Sequence, residues 1–131
     1  MVIDSSALVA IILDEPEAAR LTSAVADAYA PVVGAPTLVE ATAVLLARLG
    51  SHGEAVLDAL LQRLRIEVVP MTAGAAEAAR RAYARYGKGV ATPGVLNFGD
   101  CLSYGVAVDR GVPLLFKGED FSKTDVEQAV Y

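Results

Sequence analysis

The sequence predicts an α/β fold of three layers, in which helices cover both faces of a mostly parallel sheet of four to five strands. Short apolar runs alternate along the chain with longer helix-like segments, and no tight hairpin turn joins two neighbouring runs. The chain has 131 residues, which is enough for one hydrophobic core and few for two. We therefore expect residues 1–131 to form a single domain.

Each predicted strand is a short, mainly apolar run that is followed by a turn or by the start of a helix. In chain order, the strands are Val2 to Ile3, Val32 to Val33, Ile66 to Val69 and Leu114 to Phe116. Runs of this kind are typical of strands that are buried on both faces, as in a parallel sheet.

Capping and breaking residues set the bounds of the predicted helices. The helices run from Ser5 or Ser6 to Leu13, Pro16 to Tyr29, Thr37 to Leu49, Ser51 to Arg65, Thr72 to Tyr86, Asn97 to Gly111, and from about Thr124 onward. Serine, threonine and asparagine are favoured caps, proline suits a first turn, and glycine ends a helix. The segment from Gly87 to Leu96 holds three glycines and a proline, which predicts a loop, and its length suggests mobility before a ligand binds.

Composition restricts the classes of protein to which the chain can belong. With Cys101 as the single cysteine and His52 as the single histidine, it lacks an internal disulfide and the Cys/His set of a zinc site. The Met-Val-Ile-Asp start does not resemble a signal peptide, and no apolar run approaches the roughly 20 residues that cross a bilayer, so we expect a cytoplasmic protein without membrane insertion. A net charge of -5 disfavours unspecific electrostatic binding to nucleic acid, so such a partner would require cations at the site.

Four acidic residues from separate segments are predicted to meet at one edge of the sheet. Asp4 ends the first strand, Asp120 follows the fourth, and Glu40 and Asp100 lie in the first turns of two helices. Ligands of open α/β sheets bind outside the carboxyl ends of the strands, where these residues would converge. Crowded carboxylates repel one another and favour a bound cation. Oxygen ligands at an open edge suit Mg²⁺ or Mn²⁺.

Each acid also has a structural interpretation when it is taken singly. Asp4 could cap the first helix, and the pairs Thr37/Glu40 and Asn97/Asp100 have the spacing of a capping box. Asp120 beside Glu119 could be part of a solvated turn. These interpretations explain the residues one by one and leave their convergence unexplained.

The motifs that carry these acids resemble those of the PIN-domain ribonucleases, and within that family those of the VapC toxins. The similar segments are Val-Ile-Asp4-Ser-Ser-Ala-Leu, Pro36-Thr-Leu-Val-Glu40-Ala, Asn97-Phe-Gly-Asp100-Cys and Pro113-Leu-Leu-Phe-Lys-Gly-Glu-Asp120-Phe. They follow one another in order and span essentially the whole chain. The resemblance implies a PIN-like fold with a parallel sheet between helices.

The resemblance also implies a site and partners. Asp4, Glu40, Asp100 and Asp120 would bind Mg²⁺ or Mn²⁺ and support cleavage of RNA, with Glu119 as the alternative fourth acid, and the hydroxyl of Ser6 would support the site. VapC-like proteins are toxins of type II (VapBC) toxin-antitoxin pairs, which implies a VapB-type antitoxin in the active-site groove and a homodimer.

Several other side chains are candidates for a functional role. Arg80, Arg85 and Lys88, with the neighbouring Arg81, and Lys117 with Lys123, could hold the RNA backbone, although cations at a helix end also complement its dipole. Cys101 and Tyr104 are expected to pack in the core, and His52 to lie in a solvated turn.

Three other classes fit the sequence less well. A receiver module needs two acids after the first strand and a phospho-acceptor aspartate after a central strand, whereas this chain has Asp4-Ser-Ser and Pro70-Met there. A haloacid-type phosphatase needs Asp-x-Asp, and Ser6 occupies the second position. A catalytically inactive PIN-like scaffold that binds RNA or protein stays open as the alternative, and retention of all four acids disfavours it.

Overall fold

The chain folds around a sheet of four parallel strands. A computed structural model describes residues 1–131. The strands are β1 (Val2–Ile3), β2 (Val32–Gly34), β3 (Glu67–Val69) and β4 (Leu114–Leu115), and they lie in the order β3-β2-β1-β4. All three pairings are parallel, which confirms the predicted fold class.

Helices cover both faces of this sheet. They are α1 (Ser5–Ile12), α2 (Ala18–Asp27), α3 (Ala35–Leu49), α4 (His52–Arg63), α5 (Ala73–Tyr86) and α6 (Phe98–Arg110), and a short 3-10 helix spans Asp120–Lys123. Because successive strand residues face opposite sides, Val2 packs with α5 and α6, whereas Ile3 packs with α1 to α4. None of the helices has the length and apolar character needed to cross a membrane.

The start of α1 agrees with the prediction, whereas α3 begins earlier than predicted. Both Asp4 and a serine were predicted as possible caps of α1, and the structure has Asp4, whose side chain accepts a hydrogen bond from Ser6 N. Helix α3 begins directly after Gly34, so Thr37 lies inside its first turn and is buried. Glu40 consequently lies in the second turn of α3 and forms no capping box.

Two further expectations failed at the edges of the sheet. The third strand is an edge strand, so Val68 is 41% exposed and was wrongly predicted to be buried. The residues after Thr124 form no helix. Instead, Leu114 N donates to Glu127 O and Ala129 N donates to Leu114 O, which attaches the chain end to β4.

The segment between α5 and α6 is a loop, as predicted, and its two ends are tied together. Lys88 N donates to Leu96 O at 2.8 Å, and Leu96 N donates to Tyr86 O at 2.9 Å. This pairing brings Lys88 close to the start of α6, where Asp100 lies.

Candidate functional site

Asp4 is a buried carboxylate between β1 and α1, and three hydroxyl or amide groups hold it. Its side chain is 2% exposed. Oδ2 accepts from Ser6 N at 3.0 Å and from Ser6 Oγ at 2.6 Å, and Oδ1 accepts from Ser103 Oγ at 2.6 Å. Ser6 Oγ also accepts from Lys117 N at 3.0 Å, which links the ends of β1 and β4. The structural role expected for Asp4 is therefore real, and Ser6 contacts this acid directly.

Glu40 projects from α3 toward the start of α6. Its Oε1 accepts from Ser5 Oγ at 2.9 Å, while Oε2 has no hydrogen-bond partner in the chain. Burial raises the pKa of Glu40, the Asp4 carboxylate raises it further, and the Ser5 hydrogen bond opposes both effects. An anionic Glu40 at this position is costly, which is what a site adapted to a cation would show.

Asp100 lies in the first turn of α6 and forms the predicted capping box. Asp100 N donates to Asn97 Oδ1 at 2.8 Å, and Asp100 Oδ2 accepts from Asn97 N at 2.7 Å. Burial raises the pKa of Asp100 to about 6, against the backbone hydrogen bond from Asn97, and the carboxylates of Asp4 and Asp120 add to the rise. Oδ1 of Asp100 stays free of hydrogen bonds within the chain.

Asp120 opens the short 3-10 helix after β4 and is the most exposed of the four acids. Its Oδ2 lies 3.5 Å from Lys88 Nζ, and its charge raises the pKa of Asp100. Glu119 is also exposed, and only its backbone carbonyl makes a hydrogen bond, to Ser122. The contacts therefore favour Asp120 over Glu119 as the fourth member of the cluster.

The four carboxylates lie at the carboxyl edge of the sheet and act on one another electrostatically. Asp4 raises the pKa of both Glu40 and Asp100, and Asp120 raises that of Asp100. No three acidic, histidine or cysteine side chains are close enough to enclose a metal ion. Mg²⁺ typically binds one or two carboxylates and keeps several waters, so this open set of oxygen donors fits Mg²⁺ or Mn²⁺ better than a closed zinc site. Metal binding by these residues stays a prediction.

Of the cations that were candidates for holding RNA, all except Lys123 are paired with acids. Lys117 Nζ contacts Glu15 and also lies 3.6 Å from Glu17. The other nitrogen-oxygen pairs are Arg80–Glu77 at 2.8 Å, Arg81–Glu77 at 3.4 Å, Arg85–Asp125 at 2.7 Å and Lys88–Asp120 at 3.5 Å. Of these cations, only Lys88 contacts one of the four clustered acids.

Cys101 and Tyr104 lie in the core and His52 lies at the surface, as the sequence predicts. Cys101 is buried, and burial raises the pKa of its thiol to about 11, so it is an inert core residue. Tyr104 packs in the core and donates from its hydroxyl to Asp125 Oδ1 at 2.6 Å. His52 is exposed, and it is the first residue of α4 rather than part of a turn.

Ser103, which was not predicted as a site residue, is fully buried and contacts Asp4. Its signal is weak: a serine one turn after Asp100, in an otherwise apolar part of α6. Ser5 was likewise not predicted as the partner of Glu40, because the contact joins residues 35 positions apart.

A family model and several individual relatives match nearly the whole chain, and all of them belong to the same family. Residues 1–127 match the family model described as PIN domain. VapC ribonuclease Mb0640 of Mycobacterium bovis and Ribonuclease VapC30 of Mycobacterium tuberculosis are each 48% identical to the chain, covering 96% of it and 95% of the relative. Ribonuclease VapC of Mycolicibacterium smegmatis is 49% identical, covering 96% of this chain and 97% of its own.

A solved structure has the same fold. It is that of VapC20 of Mycobacterium tuberculosis, described as a Sarcin-Ricin loop cleaving toxin. The two superpose with a TM-score of 0.75 over 95% of each chain, at 19% sequence identity. The chain thus belongs to the PIN-domain family, among the VapC ribonucleases.

Proposed function

We propose that this chain is an endoribonuclease that hydrolyses RNA phosphodiester bonds with Mg²⁺ or Mn²⁺ and acts in the cytoplasm as the toxin of a VapBC-type pair. The observation that carries the proposal is the gathering of Asp4, Glu40, Asp100 and Asp120 at the carboxyl edge of the sheet. Relatives that share 48% and 49% of their aligned residues with this chain are named VapC ribonucleases, which supports the same activity.

The four acids divide into residues that the fold fixes and residues with free oxygens. Asp4 is held rigidly by Ser6 and Ser103, while Asp100 Oδ1 and Glu40 Oε2 have no partner in the chain. These oxygens would hold the ion together with the remaining lone pair of Asp4 Oδ1 and with Asp120. When bound, a divalent ion would supply Lewis acidity, which stabilises negative charge on the phosphate and eases deprotonation of a water molecule.

The chain's own residues would position the substrate and the attacking water. Glu40 Oε2 or Asp100 Oδ1 would accept a hydrogen bond from water and orient it toward the phosphorus atom. The Lys88 ammonium beside Asp120 would contact a phosphate oxygen. Arg80, Arg85 and Lys117 are exposed or half-buried and would hold more distant phosphates if they exchanged their present acidic partners.

A VapB-type antitoxin and a second copy of the chain are the proposed protein partners. Phe98 is 72% exposed, immediately before Gly99 and Asp100, and borders an apolar cavity of about 740 Å³ between α5 and α6. Exposed aromatic surface beside a catalytic edge supports contact with another protein chain. The rival proposal, an inactive scaffold, gives no reason for placing four acids at one edge of the sheet.

Incubation of total cellular RNA with the purified chain tests the enzymatic activity. We expect fragments with Mg²⁺ or Mn²⁺, none with EDTA, and none from Asp4→Asn or Asp100→Asn proteins that keep the wild-type circular dichroism spectrum. Equal patterns from wild type and both variants would instead support the scaffold.

Expression of the chain in a bacterium, with and without its antitoxin, tests the toxin role separately. We expect growth arrest by the wild type alone and normal growth with Asp4→Asn. Undisturbed growth, beside a control toxin that arrests the same host, would remove the toxin role and leave the nuclease proposal standing.

A further inference from the structure

Two buried hydroxyls connect α3 and α6 to the Asp4 carboxylate. Thr37 Oγ1 lies 3.1 Å from Ser103 Oγ, and Ser103 Oγ lies 2.6 Å from Asp4 Oδ1. The exposed fractions of Thr37, Ser103 and Asp4 are 1%, 0% and 2%, so water does not compete for these hydrogen bonds. The three side chains come from segments that are far apart in the sequence.

The direction of the two hydrogen bonds follows from the number of protons available. An ionised carboxylate only accepts, so Ser103 must donate its single proton to Asp4 Oδ1. Ser103 Oγ then has only lone pairs left, and Thr37 must donate to it. Both O–H dipoles therefore point toward Asp4, and each strengthens the other in a region from which water is excluded.

The free acceptor capacity of Asp4 is also fixed. A carboxylate offers about four lone-pair directions, two on each oxygen. Ser6 N and Ser6 Oγ use both directions on Oδ2, and Ser103 uses one on Oδ1. The one remaining direction is on Oδ1, the oxygen that Ser103 orients.

We propose that Ser103 and Thr37 are positioning residues that fix the Asp4 carboxylate and aim the free lone pair of Oδ1 at the divalent ion. This inference rests on the proposed metal-dependent function. The two hydroxyls would not themselves touch metal or RNA and would act through Asp4. Loss of groups that orient a metal ligand typically weakens metal affinity by roughly 10-fold to 100-fold.

The hydroxyls could have been satisfied more simply inside their own helices. Thr42, also in α3, donates to Leu38 O at 2.8 Å within the helix. Thr37 and Ser103 instead pair between helices and onto a charged group. This contrast supports a role in holding Asp4 over one in filling space.

Two substitutions at Thr37 separate the loss of the hydroxyl from the loss of packing. Thr37→Val keeps the volume and removes the donor, whereas Thr37→Ser keeps the donor and removes a methyl group. We expect Thr37→Val to weaken binding of Mn²⁺ while Thr37→Ser binds normally, even where Thr37→Ser has the lower melting temperature. If Thr37 only fills space, Thr37→Ser should instead bind Mn²⁺ more weakly than Thr37→Val does.

Ser103→Ala removes the direct donor to Asp4, and we expect it to weaken Mn²⁺ binding by roughly 10-fold or more. Matched controls are Cys101→Ala, another buried position of α6, and Thr42→Val, another threonine of α3. Both controls should keep the wild-type affinity. If Ser103→Ala fails to fold, the two Thr37 variants still decide the question.

The experiment measures free Mn²⁺ by electron paramagnetic resonance during titration of each full-length protein, without RNA. The inference is overturned if Thr37→Val and Ser103→Ala bind Mn²⁺ as the wild type does, or if Thr37→Ser is as weak as Thr37→Val. A folded wild type that binds no Mn²⁺ overturns both this inference and the proposed metal site. A wild type that binds Mn²⁺ but cleaves no RNA contradicts the proposed function alone. The Mn²⁺ affinities of the variants then still test whether Ser103 and Thr37 position Asp4.

Discussion

Gly99 lies directly against the carboxylate of Glu40. A Cβ atom at position 99 would lie 2.2 Å from Glu40 Oε2 and 2.6 Å from Glu40 Cδ. The absence of a side chain thus lets the acid of α3 approach the first turn of α6, one residue before Asp100. The glycine is required by the site and not by its backbone angles, since its φ lies outside the left-handed region.

Replacing Gly99 by alanine should therefore displace Glu40 and lower RNA cleavage. We expect at least a 10-fold loss of kcat/KM, since misplacing a catalytic group by about 1 Å can cost roughly 100-fold. Cleavage of a defined RNA by Gly99→Ala protein, with circular dichroism to verify folding, measures the loss. Wild-type activity would show that Glu40 does not need its present position.

The same substitution in a Glu40→Ala background is the control for stability. Alanine is a better helix former than glycine by about 1 kcal/mol, so Gly99→Ala should be neutral or stabilising once the clash is absent. If Gly99→Ala still lowered stability in the Glu40→Ala background, the strain would come from a contact other than the one with Glu40.

Asp100→Asn should stabilise the metal-free protein while abolishing cleavage. The amide oxygen of asparagine still accepts from Asn97 N, but the buried charge is gone. Because burial first, and then Asp4 and Asp120, raise the folded pKa of Asp100 to about 6, its ionisation costs stability as pH rises from about 4 to about 6. The cost at pH 7.5 is on the order of 1 to 3 kcal/mol.

Urea unfolding of both proteins in EDTA, at pH 4 and pH 7.5, measures this difference. The advantage of Asp100→Asn should be present at pH 7.5 and small at pH 4, where the wild-type carboxyl is protonated in the folded state and about half protonated in the unfolded state. If the two proteins differed equally in free energy of unfolding at both pH values, burial of the Asp100 charge would not be the cause of the difference.

Lys88→Ala should weaken RNA binding more than Lys117→Ala does. Lys88 Nζ lies 3.5 Å from Asp120, in an exposed pair that can readily open toward a phosphate. Lys117 Nζ is shared between Glu15 and Glu17 and is less available. We expect Lys88→Ala to raise KM and to reduce the salt dependence of binding by about one phosphate contact. Equal effects of the two substitutions on KM would contradict this ranking.

Tyr104→Phe should lower stability without changing cleavage. The Tyr104 hydroxyl donates to Asp125 Oδ1, and this hydrogen bond is the main cause of the lowered pKa of Asp125. A lowered carboxyl pKa contributes stability above the unfolded value of about 4, which is lost as pH falls through the folded pKa. Thermal unfolding should show a cost of about 1 kcal/mol at pH 7 and less at pH 3. A cost independent of pH would indicate packing as the cause.

Most of the successful predictions came from local signals, although the local Thr37/Glu40 spacing did not form a capping box. The Asn97/Asp100 capping box and the parallel strands were predicted because caps and apolar runs depend on residues a few positions apart. The chain end was wrongly predicted as a helix because its pairing with Leu114 depends on contacts across the sheet. Ser103 was missed for the same reason, since a serine in a helix carries no sign that it will meet Asp4.

Diffraction from crystals soaked in Mn²⁺, recorded where manganese scatters anomalously, tests the central claim most directly. We predict an anomalous peak at the carboxyl edge of the sheet, in contact with oxygens of Asp4 or Asp100 directly or through water, and its loss in Asp100→Asn crystals. A peak elsewhere, or none at a Mn²⁺ concentration that supports RNA cleavage, would contradict the claim that these acids form the metal site.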